Sequence, residues 1–256
     1  MPYATNQGVR IHYHVEGSGP TVMLQHGQSD NLRAWYEAGY IDALKGDFQV
    51  VAVDARGHGD SDKPHNWEAY DIARNADDAV TILDDLGVSK AHFWGHSMGG
   101  RIGFGIAKYK PERFYSLIIS SMSPYKRPKK ERDDQIGLLL QGPEAILAAR
   151  EREEGPLSQE DKAKITANDH LAQAASLTAT RDFPDLSDVP STMAMPCMLY
   201  SGDQDAFWLE GQERCVKEMP NVTFFTLPGL GHQEAFDRSD LVAPRAIEFM
   251  KKAQGV

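Results

Sequence analysis

Hydrophobic positions along the chain repeat with two different periods. In residues 9–17, "VRIHYHVEG", every second side chain is apolar, which predicts a half-buried strand. Short apolar runs in "GPTVMLQHG", "FQVVAVDARGHG", "AHFWGHS" and "RFYSLIISS" are typical of buried strands. Between the middle two runs, "YDIARNADDAVTILDDLG" has the helical period, with apolar side chains on one face and Gly87 as a stop. Strands that alternate with helices predict an α/β fold with a mostly parallel sheet.

The pattern changes between residues 123 and 196, where no convincing strand occurs. Helical segments replace it: "GPEAILAARERE", "SQEDKAKI" with Ser158 as its cap, and "HLAQAASL". The alternation then resumes with "MPCMLYSGDQD" and "NVTFFTLPG" and ends in a helix. We therefore predict a core domain of residues 1–123 and 190–256, with about eight strands flanked by helices. Residues 124–189 are predicted to form a helical cap inserted into this core.

Charge and hydropathy exclude several classes of partner. The 256 residues carry a formal net charge of −10, which disfavours binding to nucleic acid and to anionic membranes. The basic run "KRPKKER" at 126–132 is followed at once by "DD", and we interpret it as a solvated mixed-charge segment. No apolar run approaches the ~18 residues of a membrane span. We predict a small-molecule substrate, no nucleic-acid partner and no membrane span.

Cysteine use and the first residues bear on the compartment. Cys197 and Cys215 are the only two cysteines and do not form a CxxC pair, which favours a reducing compartment. The opening "MPYATNQGVR" lacks an apolar stretch behind a basic start, so we expect no secretion signal. These observations predict a cytoplasmic protein, and they are compatible with a homodimer without indicating one.

The motif "GHSMG", residues 95–99, places Ser97 between a predicted strand and a predicted helix. It matches G-x-S-x-G, in which a sharp strand-to-helix turn exposes a nucleophilic serine. A helix cap is the alternative role for this serine. Capping would explain the serine but neither the two flanking glycines nor the preceding strand, so the motif favours a nucleophile.

Further motifs accompany the serine: "QHG" at 25–27, "DARGHGDSDKP" at 54–64, "SGDQD" at 201–205 and "GLGHQ" at 229–233. With these motifs the chain resembles enzymes of the α/β-hydrolase fold over most of its length. The resemblance implies the order nucleophile, acid, histidine, which here gives Ser97, Asp205 and His232. Asp203 is the alternative acid, although the family places the acid three residues after the glycine, and a turn role suits Asp203 better.

The other histidines have competing explanations. The resemblance gives His26 and His58 a role in shaping backbone turns. His12 and His14 share a predicted strand face with Glu16, which would allow a metal site. A polar, solvent-facing strand explains this face better, so we predict no metal.

Acyl transfer also needs an oxyanion hole and a substrate pocket. The backbone amide of Met98 supplies one donor, and the resemblance points to Gln28 for the other. The loop "HGQSD" departs from the HGGG type, so the sequence leaves open whether Gln28 donates through its backbone or its side chain. Four aromatic residues near loops after strands are predicted to contact substrate, although core packing explains them equally well: Trp35, Trp94, Phe207 and Trp208. This composition predicts a moderately apolar acyl or alcohol group.

The resemblance implies a serine hydrolase that cleaves a small to medium carboxylic ester or lactone without metal or cofactor. The same triad also serves carbon–carbon bond hydrolases, thioesterases and cofactor-free perhydrolases. "QHGQSDN" lacks the HGxGPG pattern expected of a ring-cleavage-product hydrolase, and serine rather than aspartate at position 97 argues against epoxide hydrolase chemistry. A non-enzymatic receptor is least favoured because competent residues occupy all three triad positions.

Overall fold

The computed structural model describes residues 2–183 and 185–255, and its strands form one eight-stranded sheet. The strands are β1 (Tyr3–Asn6), β2 (Val9–Gly17), β3 (Thr21–Gln25), β4 (Gln49–Val53), β5 (Ala91–His96), β6 (Phe114–Ser120), β7 (Cys197–Gly202) and β8 (Val222–Leu227). Their order across the sheet is β1-β2-β4-β3-β5-β6-β7-β8. The pairings of β1 with β2 and of β2 with β4 are antiparallel, and all pairings among β3 to β8 are parallel.

Helices connect the parallel strands. They are α1 (Arg33–Glu37), α2 (Tyr40–Leu44), α3 (Ile72–Asp85), α4 (Met98–Tyr109), α5 (Lys129–Leu140), α6 (Pro143–Glu154), α7 (Gln159–Ala167), α8 (His170–Asp182), α9 (Val189–Thr192), α10 (Ala206–Glu218), α11 (His232–Phe236) and α12 (Ser239–Gln254), with two short 3-10 turns. Among the described residues, no helix combines the length and the apolar character needed to cross a bilayer. Helices α5 to α9 all lie between β6 and β7, where the sequence predicts a helical insertion.

Apolar side chains fill both faces of the sheet because its central strands are covered by helices on each side. One cluster includes Phe93, Ile119 and Leu199 together with the buried faces of α3 and α4. The other includes Trp35, Tyr40 and Trp94 with residues of α2 and α12. With both faces covered, the residues available for chemistry lie at the carboxyl ends of the parallel strands.

The predicted fold class is confirmed: the sheet has eight strands, is mostly parallel and carries a helical insertion. The structure adds β1, which was not predicted and which pairs with the first half of β2. The exact division into a core and a cap at residues 124–189 stays a prediction.

Candidate active site

Ser97 lies on the turn between β5 and α4 in a conformation that side chains rarely adopt. Its φ is +51° and its ψ is −115°. The two flanking glycines make this turn possible. A Cβ on Gly95 would lie 2.2 Å from the carbonyl oxygen of Gly99, and a Cβ on Gly99 would lie 2.1 Å from that of Gln25. The backbone therefore closes tightly around the serine, as a strained nucleophile turn requires.

His232 and Asp205 form a hydrogen-bonded pair. Nδ1 of His232 lies 2.7 Å from Oδ2 of Asp205. The aspartate follows β7 at the residue before α10, and the histidine begins α11 after β8, so adjacent parallel strands bring them together. Asp203 lies elsewhere: its Oδ1 accepts a hydrogen bond of 2.8 Å from the backbone N–H of Gly229. This is the turn role that the sequence indicated for it.

Ser97, Asp205 and His232 line one cavity of about 450 Å³ under the inserted helices. The described part of the chain offers the Ser97 hydroxyl no hydrogen-bond partner, so its link to His232 is not formed in this state. Hydrogen bonds between nucleophile and base are often long without substrate and shorten when it binds. The cavity thus contains a serine hydroxyl that makes no hydrogen bond to a described residue and an imidazole whose orientation is fixed by Asp205.

Two backbone amides of cavity-lining residues have no hydrogen-bond partner among the described residues. Met98 is the first residue of α4, where N–H groups lack an intrahelical acceptor. Neither its amide nor that of Gln28 donates to another described group, and both residues line the cavity. The side-chain nitrogen of Gln28 is also buried without a partner among the described residues. Both backbone amides are therefore free to donate to a group bound in the cavity.

Two further histidines, His26 and His96, pack near the site and help to fix its position. Nδ1 of His26 hydrogen-bonds to the carbonyl oxygen of Gly27, and its Nε2 accepts from the amide of Ala55, which fixes the loop that carries Gln28. The His96 ring packs 4.9 Å from the ring of His232. Burial holds the pKa of His96 well below its usual range, so this neighbour is uncharged at neutral pH.

The four predicted substrate-contacting aromatics have different positions. Trp35 and Trp94 are fully buried in the core, with ring centroids 5.8 Å apart, so the prediction that they line the pocket is wrong. Trp35 lies on α1 and Trp94 on β5, and both side chains point into the core. The hydrophobic periodicity of the sequence could not distinguish a core position from a position in the pocket wall. Trp208 does line the cavity. Phe207 does not; it packs edge-on against Trp208 and beneath the guanidinium of Arg127.

Four arginines that were not predicted as site residues also line the cavity: Arg101, Arg127, Arg132 and Arg150. The interpretation of residues 126–132 as a solvated segment is therefore wrong for two of its members. The run lies just before and within α5, which the sequence analysis did not identify, and the helix directs part of the run inward. Arg101 had a recognisable signal, because it is the only charged residue in the otherwise small and apolar "MGGRIGFGIA".

His12 does not face solvent as predicted. It is 2% exposed, and its Nδ1 lies 2.7 Å from Oδ2 of Asp54. Burial alone would raise the pKa of Asp54, but the backbone N–H groups of Asp60 and Leu32 and the His12 ring outweigh it and lower that pKa. His12, Asp54 and Asp60 could offer ligand atoms within 4.8 Å of one another. The Asp54 carboxylate already accepts hydrogen bonds from three N–H groups. This indicates that it holds the surrounding loops together and does not bind a metal ion.

Comparison with known proteins identifies the family. The profile of the alpha/beta hydrolase fold family matches residues 20–237, most of the chain, and the protein belongs to this family. It is similar to the putative 2-succinyl-6-hydroxy-2,4-cyclohexadiene-1-carboxylate synthase of Bacillus subtilis, with 26% identity over 96% of each chain.

Two other relatives differ in how much of each chain they share. Bifunctional epoxide hydrolase 2 of Sus scrofa is 42% identical over 108 residues, which is 41% of this chain and 19% of that one. The chain thus matches only about a fifth of that relative. The structure of Est816, described as an N-acyl homoserine lactone degrading enzyme, superposes with a TM-score of 0.75 and 25% identity over 97% of this chain and 100% of that one.

Proposed function

We propose that the protein is a serine hydrolase that cleaves a carboxylic ester or lactone through an acyl-enzyme. The observation that carries the proposal is the 2.7 Å pair of His232 and Asp205 in the same cavity as the strained Ser97. Ser29 and Ser121 also have a positive φ, but only Ser97 lies at the strand-to-helix turn in the same cavity as the His–Asp pair. The unpaired amides of Met98 and Gln28 add the electrostatic component that acyl transfer requires.

The proposed reaction follows from these positions. Nε2 of His232 removes the Ser97 proton as Oγ attacks the substrate carbonyl, and Asp205 stabilises the resulting imidazolium. The Met98 and Gln28 amides stabilise the oxyanion. His232 then protonates the leaving alcohol, and water activated by the same histidine hydrolyses the acyl-enzyme. In a lactone the leaving alcohol stays attached, so one hydroxy acid is released. The reaction uses no cofactor and no metal ion.

The relatives support a hydrolytic reaction and leave its substrate open. The name of Est816 supports a lactone or ester substrate. The epoxide hydrolase match does not extend this proposal to epoxides, because that chemistry requires a carboxylate nucleophile and position 97 holds serine. The Bacillus subtilis relative is named as a synthase and not as an esterase, so a reaction other than ester hydrolysis, carbon–carbon bond hydrolysis on the same triad, is the second candidate.

Ester hydrolysis by wild type and Ser97→Ala tests the proposal. We expect p-nitrophenyl esters from acetate to decanoate to be hydrolysed by wild type, and Ser97→Ala to lower kcat by at least roughly 10³-fold. The control is Ser89→Ala, which removes an exposed hydroxyl outside the cavity and should leave the rate unchanged. Equal rates for wild type and Ser97→Ala would reject the nucleophile. No hydrolysis of any ester by wild type would reject the ester substrate and favour the carbon–carbon candidate.

A further inference from the structure

The catalytic cavity is lined by more positive than negative charge. Asp205 is its only carboxylate among the described residues, and it is held by His232. Arg101, Arg127 and Arg132 line the same cavity. In a protein with a formal net charge of −10, this concentration of guanidinium groups runs against the overall charge. The three arginines also line an adjoining cavity of about 250 Å³.

Arg101 is buried without a partner. It lies four residues after Ser97, its amide donates to the Ser97 carbonyl, and both residues line the cavity. The residue is 7% exposed, and its guanidinium makes no hydrogen bond or ion pair with any described residue. Burial lowers the pKa of Arg101 to about 10, and the negative charge of Asp185 opposes part of this lowering. The Asp185 carboxylate itself accepts hydrogen bonds from Ser187.

Arg132 reaches the cavity from α5. One guanidinium nitrogen donates to Oε1 of Gln135 at 2.9 Å, which is a neutral acceptor. Burial and then the charges of Arg127 and Arg101 lower the pKa of Arg132 to about 10, with Glu131 opposing them. The guanidinium groups are thus close enough to repel one another.

Arg127 is held in place by aromatic rings. Its guanidinium lies 4.4 Å from the ring centroid of Phe207 and 4.8 Å from that of Trp208. Its ion pair with Glu131 is 3.3 Å long and half-exposed, so solvent screens it. Stacking fixes the orientation of a guanidinium while leaving in-plane N–H donors available.

We propose that the natural substrate carries a carboxylate, remote from the scissile bond, that binds to Arg101, Arg132 and Arg127. This inference rests on the proposed ester or lactone hydrolysis and specifies its substrate class. It replaces the moderately apolar group predicted from the sequence with a half-ester of a dicarboxylic acid or a carboxylated lactone. A planar guanidinium matches a carboxylate with two parallel hydrogen bonds, and an incoming anion would relieve the mutual repulsion of the arginines. Leu138 and Leu139 line the same cavity and would contact the methylene chain between the two ends.

Matched substrate pairs test this proposal. Mono-p-nitrophenyl adipate and suberate are compared with p-nitrophenyl hexanoate and octanoate, which have the same chain lengths but end in a methyl group. We expect wild type to have at least about tenfold higher kcat/KM for the half-ester at one or both lengths. Rates without enzyme are subtracted, because a free carboxylate can assist spontaneous hydrolysis.

Variants assign the preference to the arginines. Arg101→Gln should lower kcat/KM for the preferred half-ester by roughly 10- to 100-fold, mainly through KM, and change the matched alkyl ester by less than about threefold. Arg132→Gln should act in the same direction with a smaller loss, because this side chain is less buried. Arg245→Gln is the control, since Arg245 is exposed on α12 and stacks on Phe225 outside the cavity.

Thermal unfolding separates a binding role from a structural one. A buried guanidinium without a partner costs stability, so Arg101→Met should unfold at the same temperature as wild type or higher. It should nevertheless lose the half-ester preference. A lower unfolding temperature together with equal losses on half-esters and alkyl esters would identify Arg101 as a structural residue and overturn the proposal.

The outcomes also separate this inference from the proposed function. Alkyl esters hydrolysed as well as half-esters at both lengths would overturn the carboxylate site while leaving the serine hydrolase intact. If wild type hydrolyses neither class, the ester proposal fails, and calorimetry with adipate and suberate tests the carboxylate site directly. Binding that Arg101→Gln abolishes would then support the site, and absence of binding to wild type would reject it.

Discussion

Asp203 and Asp205 show how two residues of the same type, two positions apart, acquire different environments. Oδ2 of Asp205 lies 2.7 Å from the imidazole of His232, whereas Asp203 accepts from the amide of Gly229 and from the side chain of Gln204. The contact of Asp205 orients the proposed base, and the contact of Asp203 with Gly229 joins the loop after β7 to the loop after β8. The two aspartates therefore form a matched pair for substitution.

We expect Asp205→Asn to lower kcat by roughly 10⁴-fold, because asparagine cannot stabilise the imidazolium and favours the wrong tautomer. Asp203→Asn should retain activity within a few-fold, since its carbonyl oxygen can still accept from Gly229. Steady-state kinetics on one ester, with both variants checked for folding by circular dichroism, measures the difference. A larger loss in Asp203→Asn than in Asp205→Asn would reverse the assignment.

For single residues, the sequence predicted those that lie in a recognisable motif. It missed those whose place in the site depends on how helices pack together. Ser97 and His232 lie in motifs that end strands, and the structure brings them to one cavity. Trp35 lies on α1 and Trp94 on β5, and both side chains are buried in the core. Arg132 could not be found from sequence, because its inward direction depends on how α5 packs on the rest of the molecule.

At the scale of elements, the elbow between β5 and α4 depends on glycine for close backbone approach. Gly99 is in contact with the carbonyl of Gln25, where an added methyl group would overlap at 2.1 Å. Gly137, within α5, has no atom within 4 Å of an added Cβ. One glycine is therefore required by packing and the other is not.

We expect Gly99→Ala to destabilise the protein by more than about 3 kcal/mol or to prevent folding, because backbone atoms must move to admit the methyl group. Gly137→Ala should instead stabilise it by roughly 0.5–1 kcal/mol, the usual gain of alanine over glycine inside a helix. Urea unfolding followed by circular dichroism gives both free energies. A Gly99→Ala variant as stable as wild type would show that the elbow can relax.

Long periodic elements were predictable, and short or irregular ones were not. Helix α3 has an apolar face over 14 residues and is capped by Asp71, so its period is clear. Strand β1 has four residues, which is too few to establish a period. Helix α5 begins in a run of charged residues and buries only Ile136, so it lacks the apolar face that would have indicated a helix.

At the scale of the whole molecule, the parallel sheet assembles the site from distant parts of the chain. Gln28, Ser97, Asp205 and His232 follow β3, β5, β7 and β8, and all four reach one cavity because these strands end at the same edge. The order of the motifs was sufficient to predict this convergence. The chemistry of the opposite wall was not predictable, because it comes from the inserted helices, whose packing leaves no motif.

The same packing buries several histidines, and their lowered pKa values predict that the fold is sensitive to acid. Burial lowers the pKa of His58 to about 3 and that of His92 to about 4, against an ordinary value of 6.5. Burial also places the pKa of His96 well below its usual range. Between these folded and unfolded values the unfolded chain binds more protons, so stability rises with pH. Above about pH 6.5 these histidines do not reduce stability. As the pH falls toward their pKa values in the folded protein, stability is lost.

We therefore expect the free energy of unfolding to fall steeply between pH 6.5 and 4.5, with each such histidine contributing about 1.4 kcal/mol per pH unit. His92→Gln should reduce the pH dependence of the free energy of unfolding by the contribution of one histidine. At pH 8 the substitution should destabilise the protein because the contact with the Ser116 hydroxyl is lost, and this destabilisation should become smaller as the pH falls. Urea unfolding of wild type and His92→Gln at pH 8, 6 and 5 measures both quantities. A difference between the two proteins that stays constant across this range would mean that His92 takes up its proton equally in the folded and unfolded chains. The acid sensitivity would then arise elsewhere in the molecule.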